Sequence, residues 1–418
     1  MTLPPPLPIP AKNIHRASVW QLVLAAVSGL SYLTLTALLL LVVWTYKTEG
    51  GLPTFDAQMV EITTWAFGFI TLLCIPSIVL SIRRLRGSET EPWTGKRSRW
   101  VVFGAIMALW AGLVYLGFRL DRLGMPAVFY GLVNILIVTL PVIAFVLAAS
   151  QNLKVHSKQR AWGVFNFSQF ITPAAATTFE LLGFGIVLII AGSWLVQQAE
   201  FIPYLTLFES QGSFTEQNLE SMAYDLLPLV QPSLLYAGAI FLMCVFVPMI
   251  EELFKPLAVW VFAGRNITPS EGFMLGMISG AAFGVTESLL MMSMAGGEWT
   301  STVIGRAGAS LLHVSTTALL GWAMAKTWQD GRYIRVSLIY LAMIIVHGLW
   351  NFFAVLMGMN SIVFPIEYEW VGTLMPLSQW ALLGLAAAMI AGLLLMNRRL
   401  QKESTPPVLP VTISSPES

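Results

Sequence analysis

The chain has 418 residues, 56% of them hydrophobic and 11% charged, with a formal net charge of +1 and a mean hydropathy of +0.73. Runs of about 20 apolar residues, each long enough to cross a bilayer core as a helix, recur throughout, so the chain is not a soluble multidomain protein. There is no basic face for nucleic acid, and Cys74 and Cys244 both lie in apolar runs, against a disulfide framework or a Cys-based metal site.

The amino terminus, MTLPPPLPIPAKN, reads as a disordered Pro-rich leader over residues 1–17. It is not a cleavable signal, because the apolar run behind it is too long. Ten spans are expected at 19–45, 60–82, 100–118, 126–149, 177–197, 233–262, 270–294, 303–327, 333–358 and 371–396. The fold class is therefore all-α, a polytopic transmembrane helical bundle. Lys12, Arg16, Arg83, Arg84, Arg86, Lys96, Arg97, Arg99, Lys154, Lys158, Arg160, Arg265, Arg332, Arg335, Arg398, Arg399 and Lys402 then fall on one side. The positive-inside rule makes that side cytoplasmic and places both termini there. Glu200, Glu209, Glu216, Glu220 and Asp225 make the opposite loop acidic, and its ordinary reading is a solvated connector. Glu298, Glu367 and Glu369 fall on that side too, while Arg119 and Arg122 break the pattern mildly.

The sixth span is longer than a bilayer needs and contains Pro248 and Pro256, so a kink or break is expected there. Broken helices at membrane depth line protein-enclosed or wet cavities. The seventh opens on TPSE, with Thr268 as cap, Pro269 at the first helical position and Glu271 completing a capping box. Gly276, Gly280 and Gly284 follow at four-residue spacing, best read as a smooth stripe for close helix packing. Glu180, at the expected start of the fifth span, reads as an interfacial residue.

The polar residues of the later spans are harder to explain by packing. The sixth carries Glu251, Glu252 and Lys255, the seventh Glu287, the eighth Arg306, His313 and Thr317, the ninth His347 and Asn351. Residues four apart share a helix face, which pairs Glu251 with Lys255 and His347 with Asn351; Glu252 lies on an adjacent face. A charge at the bilayer centre costs at least ~2.5 kcal/mol. Taken singly, Glu251 and Lys255 are an ion pair and Asn351 is helix glue. Taken together, these groups must converge on one polar cavity.

In order and on successive helices, EELFK resembles the E-E-x-x-K motif of PrsW-type intramembrane proteases, and FGVTE their F-x-x-x-E motif. HVSTT and HGLWN are similar to their two later histidine motifs. The resemblance covers about 245–355. PrsW proteases are grouped with the CAAX prenyl endopeptidases and Abi proteins in one superfamily, but the CAAX branch has E-E-x-x-x-R and F-x-x-x-H. Lys255 and Glu287 therefore favour the PrsW branch. The resemblance implies catalytic roles for Glu251, Glu252, Glu287, His313, His347 and Asn351. By the CAAX branch, Glu251 polarises the attacking water while His347 and Asn351 stabilise the oxyanion. Lys255, Arg306 and Thr317 are read as support and charge balance.

The expected function is an intramembrane endopeptidase acting by glutamate-activated water on a membrane-anchored protein. The resemblance extends this to an anti-sigma factor in a bacterial cytoplasmic membrane. No cofactor is favoured. A zinc-dependent version would use Glu251, Glu287, His313 and His347, but H-E-x-x-H is absent. A proton-coupled transporter and an inactive scaffold, as in the Aph subunit of γ-secretase, are the remaining alternatives. The expected organisation is leader 1–17, helices 18–200 of unassigned role, extracytoplasmic loop 201–232, PrsW-like core 233–360, last span 361–396 and disordered cytoplasmic tail 397–418.

Overall fold

In a hydrocarbon medium the backbone must satisfy its own polar groups, so the apolar runs fold as helices. The computed structural model describes residues 16–49, 57–95, 100–122, 127–213, 215–226, 232–294, 299–358 and 369–404. Ten helices among them are long and apolar enough to cross a membrane, matching the expected number. The chain is an integral membrane protein.

The first half comprises α1 (Arg16–Glu49), α2 (Ala57–Leu85), α3 (Trp100–Arg122), α4 (Ala127–Ala149) and α5 (Lys158–Leu195). Two short helices follow, α6 (Ile202–Gln211) and α7 (Glu216–Leu226). The second half contains α8 (Pro232–Phe241), α9 (Val247–Phe254), α10 (Leu257–Trp260), α11 (Pro269–Met291), α12 (Trp299–Asp330), α13 (Tyr333–Gly358) and α14 (Glu369–Ser404). Among the described residues the one sheet pairs β1 (Trp93–Thr94) antiparallel with β2 (Lys154–Val155).

Three expectations change. Residues 397–404, expected in the tail, continue α14. The connector after α5 holds α6 and α7, which Tyr204 joins by donating its hydroxyl proton to the Asp225 carboxylate. The largest change is in α5, which starts at Lys158 rather than near 177. Its first half is polar enough to lower hydropathy, yet it is buried. Tyr32 donates to the Gln169 carbonyl at 2.6 Å, and Asn166 donates to Ser28. Residues 1–15, 227–231 and 405–418 lie outside the described residues, as do Lys96, Arg97, Arg99, Glu298 and Glu367 of the charge pattern.

The most deeply buried span is α11. Thr268 caps it by accepting from the Glu271 amide, but the capping box does not close. The Glu271 carboxylate instead pairs with Arg160 of α5 at 2.6 Å and accepts from the His156 amide. Farther along, Ser168 and Ser279 share a hydrogen bond at 2.6 Å. Both pairs are separated by 111 residues, so α5 and α11 run parallel and in step.

On its other side, α11 meets α12 almost backbone to backbone. A Cβ at Gly276 would lie 2.2 Å from the Thr317 carbonyl oxygen, and one at Gly280 would lie 2.1 Å from that of His313. The glycine stripe is thus what brings His313 close to α11.

The sixth span breaks as its prolines require. A π-turn over Leu242–Phe246 precedes Pro248, and α9 ends at Phe254, just before Lys255 and Pro256. In a π-turn the Met243 carbonyl would accept from the amide of residue 248, which proline lacks. Asn351 of α13 fills that vacancy, its amide donating to Met243 O at 2.8 Å. Gly348, one turn earlier, lets α13 approach, since a Cβ there would stand 2.2 Å from Cys244 O.

Gly280→Leu is expected to lower stability by about 1–3 kcal/mol through overpacking. Gly305→Ala, where a Cβ meets nothing within 4 Å, is expected to be neutral or to gain about 0.5–1 kcal/mol. Unfolding of the two variants in detergent measures the contrast.

Candidate active site

The helix break fixes the site. By ending α9 beside Pro256, it leaves Glu251, Glu252 and Lys255 in one short turn facing inward. Glu252 and Lys255 are fully buried, and Glu251, His313 and His347 nearly so. Convergence of four spans on one enclosed cluster, required by the cost of intramembrane charge, is what the structure shows.

Lys255 Nζ is the centre. It donates to Glu252 Oε1 at 2.5 Å and to His313 Nδ1 at 3.1 Å, with Glu251 Oε2 and His347 Nδ1 each at 3.5 Å. The pairing by four-residue spacing is corrected here: the closer partner is Glu252, three residues back on the adjacent face and fully buried. Ser279 of α11 donates to the Lys255 carbonyl, pinning the turn. The Phe283 ring lies 5.7 Å from Nζ, at cation–π range.

An ammonium has no lone pair, so it fixes the tautomers around it. His313 must accept at Nδ1, and its Nε2 carries hydrogen toward Glu287 Oε2, 2.7 Å away. His347 Nδ1 lies 3.0 Å from Glu252 Oε1 and donates to it. In the neutral ring its Nε2 is then an acceptor, facing Glu251 Oε2 at 3.9 Å.

Glu287 also lies 2.6 Å from Arg306 Nη2, while Arg306 Nε donates to Ser288 at 3.1 Å. The Arg306 and His313 contacts to Glu287 are at ion-pair distance without hydrogen-bond alignment. Glu287 and Arg306 side chains are 22% and 18% exposed, against 9% or less for the other charged groups. The cluster therefore opens on their side.

Two expected members take other places. Thr317 is buried with its hydroxyl unpartnered among the described residues, against the α11 backbone at Gly280. Its neighbour Thr316 supplies the hydroxyl, donating to Glu252 Oε1 at 3.1 Å. Both share a helix face with His313, so spacing could not choose between them. Asn351 serves the carbonyl freed by Pro248 rather than touching any carboxylate of the cluster. Sequence reasoning also missed Ser279, Ser288 and Thr316, for which a lone hydroxyl gives no signal.

Glutamate and histidine are ligand types that zinc takes. The arrangement does not fit one, because Lys255 Nζ fills the point where Glu251, His313 and His347 meet. No group of three or more His, Cys, Asp or Glu side chains forms a ligand set among the described residues.

Residues 217–383 match a family model described as PrsW family intramembrane metalloprotease. No curated protein and no solved structure matches. The match supports an intramembrane protease, one acting on a membrane protein within a bilayer.

Removing Lys255 leaves buried carboxylate charge without its cation. Lys255→Met is expected to cost about 3–5 kcal/mol, and Lys255→Met with Glu252→Gln to recover much of it. Thermal unfolding of both in detergent decides, and equal loss in the two would show that the ion pair is not the source.

Proposed function

Because the chain carries a PrsW-family region over residues 217–383, we propose that the buried cluster is the catalytic centre of an intramembrane endopeptidase with Glu251 as its base. The observation that carries this reading is Glu251 Oε2, a buried carboxylate oxygen with no hydrogen-bond partner. It is flanked by His313 Nδ1 at 3.8 Å and His347 Nε2 at 3.9 Å. Gaps of that size between polar atoms are ones a water bridges. A water held by Glu251 and the His347 Nε2 lone pair is oriented to lose its proton to Glu251 and attack a carbonyl carbon.

The other groups hold this arrangement. Glu252 anchors Lys255, His347 and Thr316 at once, which fixes the turn and the imidazole. Lys255 places a positive charge beside the developing oxyanion in a water-poor site, where such a charge acts most strongly. His347 donates to that oxyanion only as the imidazolium, and Asn351 supports the helix break from its place on Met243 O. Glu287 and Arg306, on the open side, border the path by which a peptide reaches Glu251.

In this reading 233–360 is the catalytic core and the helices within 18–200 house it. The substrate is a membrane-anchored protein; an anti-sigma factor in a bacterial cytoplasmic membrane is the specific form that the family resemblance favours. A second reading, zinc-dependent hydrolysis, is favoured by the family's description as a metalloprotease. It requires Lys255 to leave the centre of the donor set.

Glu251→Gln is expected to lower cleavage of a single-span substrate in liposomes by about 10²–10⁴-fold, with unfolding unchanged. Full activity in that variant would remove the base. Chelator treatment is expected to leave wild-type cleavage unchanged; loss restored by zinc would establish the metal reading.

A further inference from the structure

Away from the carboxylate cluster, a cavity of about 310 Å³ lies where α14 packs on the end of α4, beside the start of α3. That volume is at the low end of the range for ligand pockets. Its polar lining comes from Gln151 and Asn152 in the turn after α4 and from Asn397, Arg398 and Gln401 of α14, with Trp100 at the start of α3. No Asp or Glu is among the lining residues.

The wall is held from both sides. Its turn closes by Leu153 N–H donating to Ser150 O at 3.1 Å, and Asn152 takes a left-handed φ of 58°, which Asn tolerates. Gly95 clamps the turn, donating to Leu153 O and accepting from the Asn152 amide, both at 3.0 Å. A Cβ at Gly95 would stand 1.8 Å from Ser150 O. From α14, Asn397 donates to Ala149 O and Gln151 O, and Gln401 to Gln151 O. These carbonyls are therefore satisfied within the protein, and donors remain. Gln151 Nε2 is buried with no hydrogen-bond partner among the described residues. Arg399 is paired with Glu403 at 3.0 Å, whereas its exposed neighbour Arg398 has no ion pair among the described residues. A guanidinium and an amide donor without a carboxylate suit an anion.

An apolar crevice adjoins the cavity and shares Trp100, Ala148 and Leu394 with it. It continues between Phe103 of α3, Phe145 of α4 and Leu393 of α14. Val101 and Leu395, next to the shared residues in sequence, are exposed on helices long and apolar enough to span a bilayer, where such side chains meet acyl chains. Trp100 is half exposed between the polar and apolar parts, the place an indole takes at a membrane interface. A soluble anion would use the polar part and leave the crevice unfilled. An anionic lipid uses both.

We propose that this is a binding site for an anionic glycerophospholipid, with its phosphate on Arg398 and Gln151 Nε2 and the upper part of one acyl chain in the crevice between α3, α4 and α14. The pairing of β1 with β2 brings the end of α2, with Arg83 and Arg84, to the same end of the bundle. Cations there concentrate anionic headgroups near the site. The assignment is independent of the protease reading.

The experiment titrates the delipidated full chain in a neutral maltoside detergent with phosphatidylglycerol, phosphatidylcholine or soluble glycerol phosphate. Bound lipid is counted by native mass spectrometry, and unfolding temperature is followed in parallel. Phosphatidylglycerol is expected to bind about tenfold more tightly than phosphatidylcholine and to raise the unfolding temperature, which glycerol phosphate leaves unchanged. Arg398→Gln is expected to weaken phosphatidylglycerol about tenfold through loss of the guanidinium–phosphate pair. Lys402→Gln, which removes an exposed cation one turn on, is expected to stay within about twofold of wild type. Leu394→Trp, at a position shared by cavity and crevice, is expected to abolish binding, and Leu395→Trp on the exposed face to preserve it. No retained lipid, equal binding of the two lipids, or an equal effect of glycerol phosphate overturns the proposal. So does an equal loss in Arg398→Gln and Lys402→Gln, or wild-type binding in a folded Leu394→Trp. If Leu394→Trp does not fold, the contrast between the Arg398 and Lys402 variants decides.

Discussion

The structure depends on one buried ammonium. Lys255 sits without solvent contact among two carboxylates and two imidazoles drawn from α9, α12 and α13. A lone charge there would be untenable, and so would lone carboxylates. Each is tolerated because the others are present, so the helices carrying them must meet. The same cation sets which ring nitrogen of His313 carries hydrogen, and through Glu252 it orients His347. Geometry, charge and tautomer are thus settled together.

Two backbone devices bring that cluster about. The prolines of the sixth span turn a helix into a π-turn, a short helix and a break, which points Glu251, Glu252 and Lys255 inward together. Their cost is a break with freed carbonyls, of which Met243 O and Lys255 O are met by Asn351 and Ser279 from neighbouring helices. The glycines of α11 then remove the side chains that would hold α12 away. An Asn that looks catalytic by motif serves the first device, and a glycine stripe that looks like simple packing sets the distance across the site.

The amino-terminal helices are part of the same construction. The parallel course of α5 and α11, tied by Arg160 with Glu271 and by the serine pair, gives α11 a wall on the side away from α12. The polar residues of early α5 read as loop in a hydropathy profile because such a profile measures preference for lipid. Gln169, Asn166 and Ser168 face protein instead, where hydrogen bonds replace the missing apolar surface. Misplacing that start by more than four turns also put Glu180 at the beginning of a span, whereas it lies well inside α5.

Ten apolar runs, the punctuation of Pro248 and Pro256, and polar residues recurring on successive spans were enough by themselves to determine a helical membrane bundle with a shared interior site. That inference holds because hydrocarbon penalises exposed backbone and charge so heavily that few arrangements survive. Helical spacing limited the candidates to a face but could not separate Glu251 from Glu252 as the closer partner of Lys255, or Thr317 from Thr316. Neighbours three and four residues apart lie on the same side of one helix, and only the approach of a second helix distinguishes them. The tertiary structure alone decided that Asn351 would turn to Met243 and Thr316 to Glu252, because both outcomes depend on how separate helices register against one another.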